Sequence, residues 1–193
     1  MRYGIVLTLV ITLYSCSSRQ ESAEYADTFQ SAYDANSMYT VSNAGIGDIT
    51  LGGAFELVEN NLPVVETETV YEEDDGSGLF LIRLAESDEY NLSVQVGYDD
   101  IIGITIFTPP FSTDKGISPQ TSNLSDLKTF YTIEDVWVPN SGSLYVGVKE
   151  LPNVTFVYED KLLLTLTEGA EVVQDELPGG LVLSKIMLHK PLE

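Results

Sequence analysis

The chain has 193 residues, 44% of them hydrophobic and 10% aromatic, and its 30 acidic residues against 9 basic ones give a formal charge of −21. That balance excludes nucleic acid as a partner, because a polyphosphate is met by a basic footprint, and it makes anionic lipid headgroups a repulsive surface. A single cysteine excludes an internal disulfide, and one cysteine with one histidine leaves no cluster for a transition metal.

Arg2 precedes an apolar run, Gly4 to Tyr14, that is too short to span hydrocarbon, which needs about 20 residues. Residues 1–15 therefore read as a signal peptide. The run Leu13-Tyr14-Ser15-Cys16 resembles a lipobox, with a small residue before the cysteine, so Cys16 is expected to be the lipid-attachment site. The competing reading is ordinary secretion with cleavage near Ser15 or Ser18. Lipidation accounts for a solitary cysteine in an exported chain, and two or three acyl chains hold a protein on a membrane where one holds it weakly. Ser17 stands where an aspartate would imply inner-membrane retention, so outer-membrane delivery is expected. Loss of Arg2 takes the mature chain to −22, so its attachment is expected to come from the acyl chains on Cys16 alone.

Residues 16–37 read as a lipidated tether, polar and rich in Ser, Ala and acid. Within it Tyr25, Phe29 and Tyr33 recur at helical spacing and would share one face. Residues 38–193 are expected to form one α+β domain, a mostly antiparallel β-sheet with two short helices. Val64 to Tyr71 and Leu79 to Leu84 flank Glu72-Glu73-Asp74-Asp75-Gly76-Ser77-Gly78 and predict a hairpin with an acidic tip. Tyr90, Leu92, Val94 and Val96 alternate, Gly97 to Asp100 turn the chain, and Ile102 to Phe107 return it. Further strands are predicted over Leu144 to Val148, Val154 to Tyr158, Leu162 to Leu166 and Leu181 to His189. One helix is predicted from Ala54 to Asn60, stopped by Pro63. A second carries Leu124, Leu127 and Tyr131, with Thr121-Ser122 as its N-cap.

The entries to the two helices are parallel. Gly47-x4-Gly52-Gly53-x-Phe55-x2-Val58 matches Gly116-x4-Thr121-Ser122-x-Leu124-x2-Leu127. The match is read either as a duplication or as two strand-to-helix turns converging on small residues.

Three blocks carry a family resemblance: Val41 to Thr50; Ile101 through Thr113-Asp114-Lys115-Gly116-Ile117 to Leu124-Ser125-Asp126-Leu127; and Leu183-Ser184-Lys185-Ile186. Together they resemble the RpoE-regulated outer-membrane lipoproteins, whose domain has no established function. The resemblance implies an exported α+β lipoprotein domain and transfers no catalytic residue. Where that family tends to have a second glycine after Gly116-Ile117, this chain has Ser118-Pro119-Gln120.

No catalytic constellation is expected. A Ser-His-Asp arrangement would depend on His189, and Ser184 and Lys185 are neighbours on a strand, which turns them to opposite faces. Glu72 to Asp75 and Asp99-Asp100 have the oxygen chemistry that suits calcium. However, Tyr71 and Ile82 stand where an EF-hand needs acids, so solvated hairpin tips are the better reading. Trp137, flanked by Val136 and Val138, is the aromatic platform for a carbohydrate or peptide, unless it packs in the core. The expectation is a lipid-anchored envelope protein with a structural or accessory role that binds a protein partner. It is not expected to be an enzyme, and neither a cofactor nor a metal is expected. A small-ligand binder is the alternative.

Overall fold

Stretches in which β-branched and aromatic residues recur fold as strands, and the acidic and glycine-rich segments between them turn the chain. A computed structural model describes residues 37–190, apart from 141, 167, 170, 171 and 173–175. The expected signal peptide, Cys16 and the Tyr25, Phe29, Tyr33 series lie outside the described residues.

Eight strands make one antiparallel sheet: β4 (Val64–Glu72), β5 (Gly78–Leu84), β6 (Leu92–Gly97), β7 (Asp100–Ile106), β9 (Ile133–Trp137), β10 (Ser143–Val148), β11 (Leu151–Glu159) and β12 (Leu183–His189). Their order is β4-β5-β6-β7-β12-β11-β10-β9. Four two-residue strands make a small sheet, ordered β3-β2-β1-β8: β1 (Thr40–Val41), β2 (Gly45–Ile46), β3 (Ile49–Thr50) and β8 (Ser112–Thr113), with β1 and β8 parallel. Among the described residues two helices, α1 (Glu56–Asn61) and α2 (Leu124–Phe130), pack with the sheets in an α+β fold.

The large sheet buries one face. Ile82, Leu92, Ile106, Ile186, Phe156 and Val146 are paired neighbours across six consecutive strands, and each is at most 1% exposed. Burying each such side chain stabilises the fold by about 1.5–3 kcal/mol. Val58 of α1 and Leu124 and Leu127 of α2 belong to the same core.

The sheet order contains a repeat. Each helix is followed by a four-stranded meander, α1-β4-β5-β6-β7 and then α2-β9-β10-β11-β12, and the two last strands meet in the middle. Their register is self-complementary: Ile186 pairs with Ile106, Leu188 with Ile104 and Met187 with Thr105, which places a pseudo-twofold axis through the last pair. The irregularities repeat too. The ladder shifts between Gln95 and Val96 and again between Val157 and Tyr158. Ala54 bridges Asp100 as Asn123 bridges Val182. The Ile101 amide donates to Gly53 O at 2.8 Å as the Leu183 amide donates to Ser122 O at 2.8 Å. Such agreement in ladder register, bulge and bridge goes beyond convergence of two turns, and supports the reading of the helix-entry match as a duplication.

Three expectations change. Leu162 to Leu166 is not a strand: residues Lys161–Thr165 form a 3-10 turn, because the Asp160 carboxylate accepts the Leu162 amide at 2.8 Å and starts it. Only the middle leucine, Leu163, is buried, while Leu162 and Leu164 are exposed. The N-cap of α2 is Asn123, not Thr121-Ser122. Ser122 Oγ is taken by the Ser118 amide and Thr121 Oγ by Ser118 O, in a turn one step upstream. Finally, β9 and the small sheet have no counterpart among the predicted strands.

Candidate functional site: two acidic clefts on the first half

The halves differ in charge. Residues 54–106 carry thirteen acidic residues against one base, Arg83, whereas residues 123–189 carry ten against four lysines. Arg83 is already engaged, its Nε donating to Glu66 Oε2 at 2.8 Å. Beside that pair the Tyr90 hydroxyl donates to the Glu68 carboxylate, which holds the phenol up at about 12. The first half therefore presents a strongly negative surface with no base left unpaired.

The larger cleft, about 630 Å³ and open to solvent, lies between the β5–β6 connection and the chain that follows β7. Asn91 forms its floor. Its Oδ1 accepts the Leu84 amide at 2.9 Å, and its Nδ2 donates to Thr108 Oγ1 at 2.8 Å and to Pro109 O at 2.9 Å, so a buried amide ties the two walls together. Tyr39 and Pro110 give an apolar side, and Glu86, Asp88 and Glu89 an acidic rim. Two rim residues are left-handed without being glycine, Glu86 at φ 70° and Gln120 at φ 63°. Gln120 falls in the stretch where the resemblance leads one to look for glycine, and the backbone adopts the glycine-favouring conformation there all the same.

The second cleft, about 540 Å³, lies beside the start of α1. Phe55 and Phe80 form one wall, with ring centroids 4.5 Å apart. Glu56, Glu72 and Asp99 stand round its mouth. Glu72 ends β4 and Asp99 sits in the β6–β7 turn, so two hairpin tips bring these carboxylates together. The turn is held by Tyr98 and Asp99 in left-handed conformations, φ 51° and φ 70°.

The residues expected to carry chemistry are scattered. Trp137 is on the edge strand β9 and 39% exposed, with its ring 5.6 Å from Tyr145, while Val138 takes the buried position. It therefore neither packs in the core nor lines either acidic cleft. His189 is exposed at the end of β12. Ser184 Oγ accepts the Glu159 amide at 2.9 Å and Lys185 Nζ donates to the Glu159 carboxylate at 2.7 Å, so both groups are engaged with β11. Among the described residues no group of three or more His, Cys, Asp or Glu is arranged to hold a metal ion, and no helix is long and apolar enough to cross a membrane. Sequence reasoning missed both clefts, since each is built from segments far apart in the chain.

No family model matches the chain, and no curated protein matches it. Among solved structures, the crystal structure of the uncharacterized protein YfeY from Escherichia coli is similar, with a TM-score of 0.52 at 13% identity, over 78% of this chain and 99% of that one. The α+β fold of this chain is thus shared with a solved protein of uncharacterized activity.

Proposed function

We propose that this chain is a lipid-anchored lipoprotein of the bacterial outer membrane, related to the RpoE-regulated outer-membrane lipoproteins, and that it acts by binding a basic protein partner without catalysis. The carrying observation is the concentration of charge on the first half, thirteen acids with the one arginine already paired. Charge complementarity of this kind steers encounter and selects against acidic partners. Support also comes from β4, a nine-residue edge strand with Val65, Val70 and Tyr71 exposed, whose outer side pairs with no other strand among the described residues. The three blocks behind the family reading fall on the small sheet, β7, the turn before α2, α2 itself and β12. Cys16 is the proposed attachment site, with the acyl chains providing all membrane affinity.

The test is site-specific photocrosslinking in cells. A photoreactive residue at Val70 or Tyr98, on the first half, should give a discrete adduct with a partner protein, and one at Val182, on the second, should not. Adducts from Val182 alone, or none from any position, would reject this reading.

A further inference from the structure

The repeat shows what the second cleft lacks. On the inner face, Gly78, Val96 and Ile101 of the first half stand in the ladder positions of Leu144, Tyr158 and Leu183 of the second. In the second half, Leu144 and Tyr158 are both fully buried and fill the space beside the helix start. There the β11–β12 connection also closes over α2, the Leu124 amide donating to Leu181 O at 2.9 Å and the Ser125 amide to Gly179 O at 2.9 Å. The first half replaces the large pair by glycine and valine and replaces the long connection by the short turn at Tyr98 and Asp99. The result is an aromatic-walled cavity that the described residues leave unfilled.

We propose that this cavity takes one arginine side chain of the partner protein. The reading rests on the proposed binding of a basic partner and names the place where a single side chain is anchored. An arginine has an apolar stem that lies against Phe55 and Phe80 and a planar cation that stacks on such rings. Its head then falls among Glu56, Glu72 and Asp99, and among the described residues no base lines the cavity to compete. Carboxylates at a solvated rim would bind little by themselves. What selects an occupant here is the aromatic slot behind them, at the ladder position where the other half carries its own buried tyrosine. Glycine at position 76 matters to the geometry, because a Cβ there would come within 2.6 Å of Asp99 Oδ1 and push that carboxylate away.

The experiment uses the full chain purified in detergent, with amide spectra recorded during titration with a capped pentapeptide, Ala-Ala-Arg-Ala-Ala, and with its neutral citrulline counterpart. Saturable shifts at Phe55, Phe80 and Val96 are expected with the arginine peptide, and none with citrulline. Val96→Tyr, which places in the first half the residue of the second, should abolish them. Glu72→Gln with Asp99→Asn, both at exposed positions, should weaken binding by about tenfold. Equal binding of both peptides, shifts spread evenly over the acidic surface, or binding undiminished in the double carboxamide variant would overturn the proposal. If these peptide results fail while Val70 still crosslinks in cells, the partner is real and its anchor is elsewhere; if both fail, the binding role itself falls.

Discussion

Tyr158 is fully buried, and its hydroxyl has no hydrogen-bond partner among the described residues. The phenol is pushed well above its ordinary value, first by burial and then by the charge of Asp126. A buried polar group left without a partner costs about 1–3 kcal/mol, whereas an apolar group of the same shape carries no such cost. Tyr158→Phe keeps the ring that fills the second half and removes only the oxygen. It should therefore stabilise the chain by about 1 kcal/mol, the lower end of that range, since a relaxed hydroxyl recovers part of the loss. Urea unfolding is the assay: the midpoint should rise with the slope unchanged, and the melting temperature should rise by about 2–4 °C for a chain of this size. A loss of 1 kcal/mol or more would refute the reasoning, because it would mean that the hydroxyl makes a bond the fold depends on.

Asn123 Oδ1 accepts the Asp126 amide at 3.1 Å while the Asp126 carboxylate accepts the Asn123 amide at 2.8 Å. Asn123→Ala should thus cost about 1 kcal/mol by urea unfolding. Tyr131 is buried, which with its bond to Asp114 raises its phenol from 10.0 to about 12. The unfolded chain then ionises first, so the contribution of this residue is complete below pH 10 and is lost as pH rises through 12; absorbance titration against alkaline unfolding should show the lag, and Tyr131→Phe should remove it. Because the negative charge is concentrated on one half, moderate sodium chloride should raise the melting temperature by screening self-repulsion. A temperature unchanged or lowered by salt would contradict that.

The strands that alternate or run apolar between turn residues were legible, among them both hairpins of the first half and the central strand β12. The 3-10 turn at Lys161–Thr165 was not, because three consecutive leucines fit a buried strand until Asp160 is seen to cap them. Nor was β9, whose Ile133-Glu-Asp-Val-Trp pattern puts two acids in a row and whose exposure reflects its edge position. The helix-entry match held the trace of the repeat in a handful of small and apolar residues, but the decisive signs are pairing registers, which a sequence does not display. The clefts were hidden for the same reason. Glu56, Glu72 and Asp99 are 43 positions apart from first to last, and only the meander brings them to one mouth.

In the proposed function Cys16 alone fixes an acidic recognition domain to the membrane. The direct measurement is fractionation of cells fed a labelled fatty acid and expressing the natural chain or Cys16→Ala. The natural chain should carry label and sediment with membranes. The variant should carry none and be recovered in solution with the same urea midpoint. Label on the variant, or continued sedimentation with membranes while its signal is cleaved normally, would contradict the account.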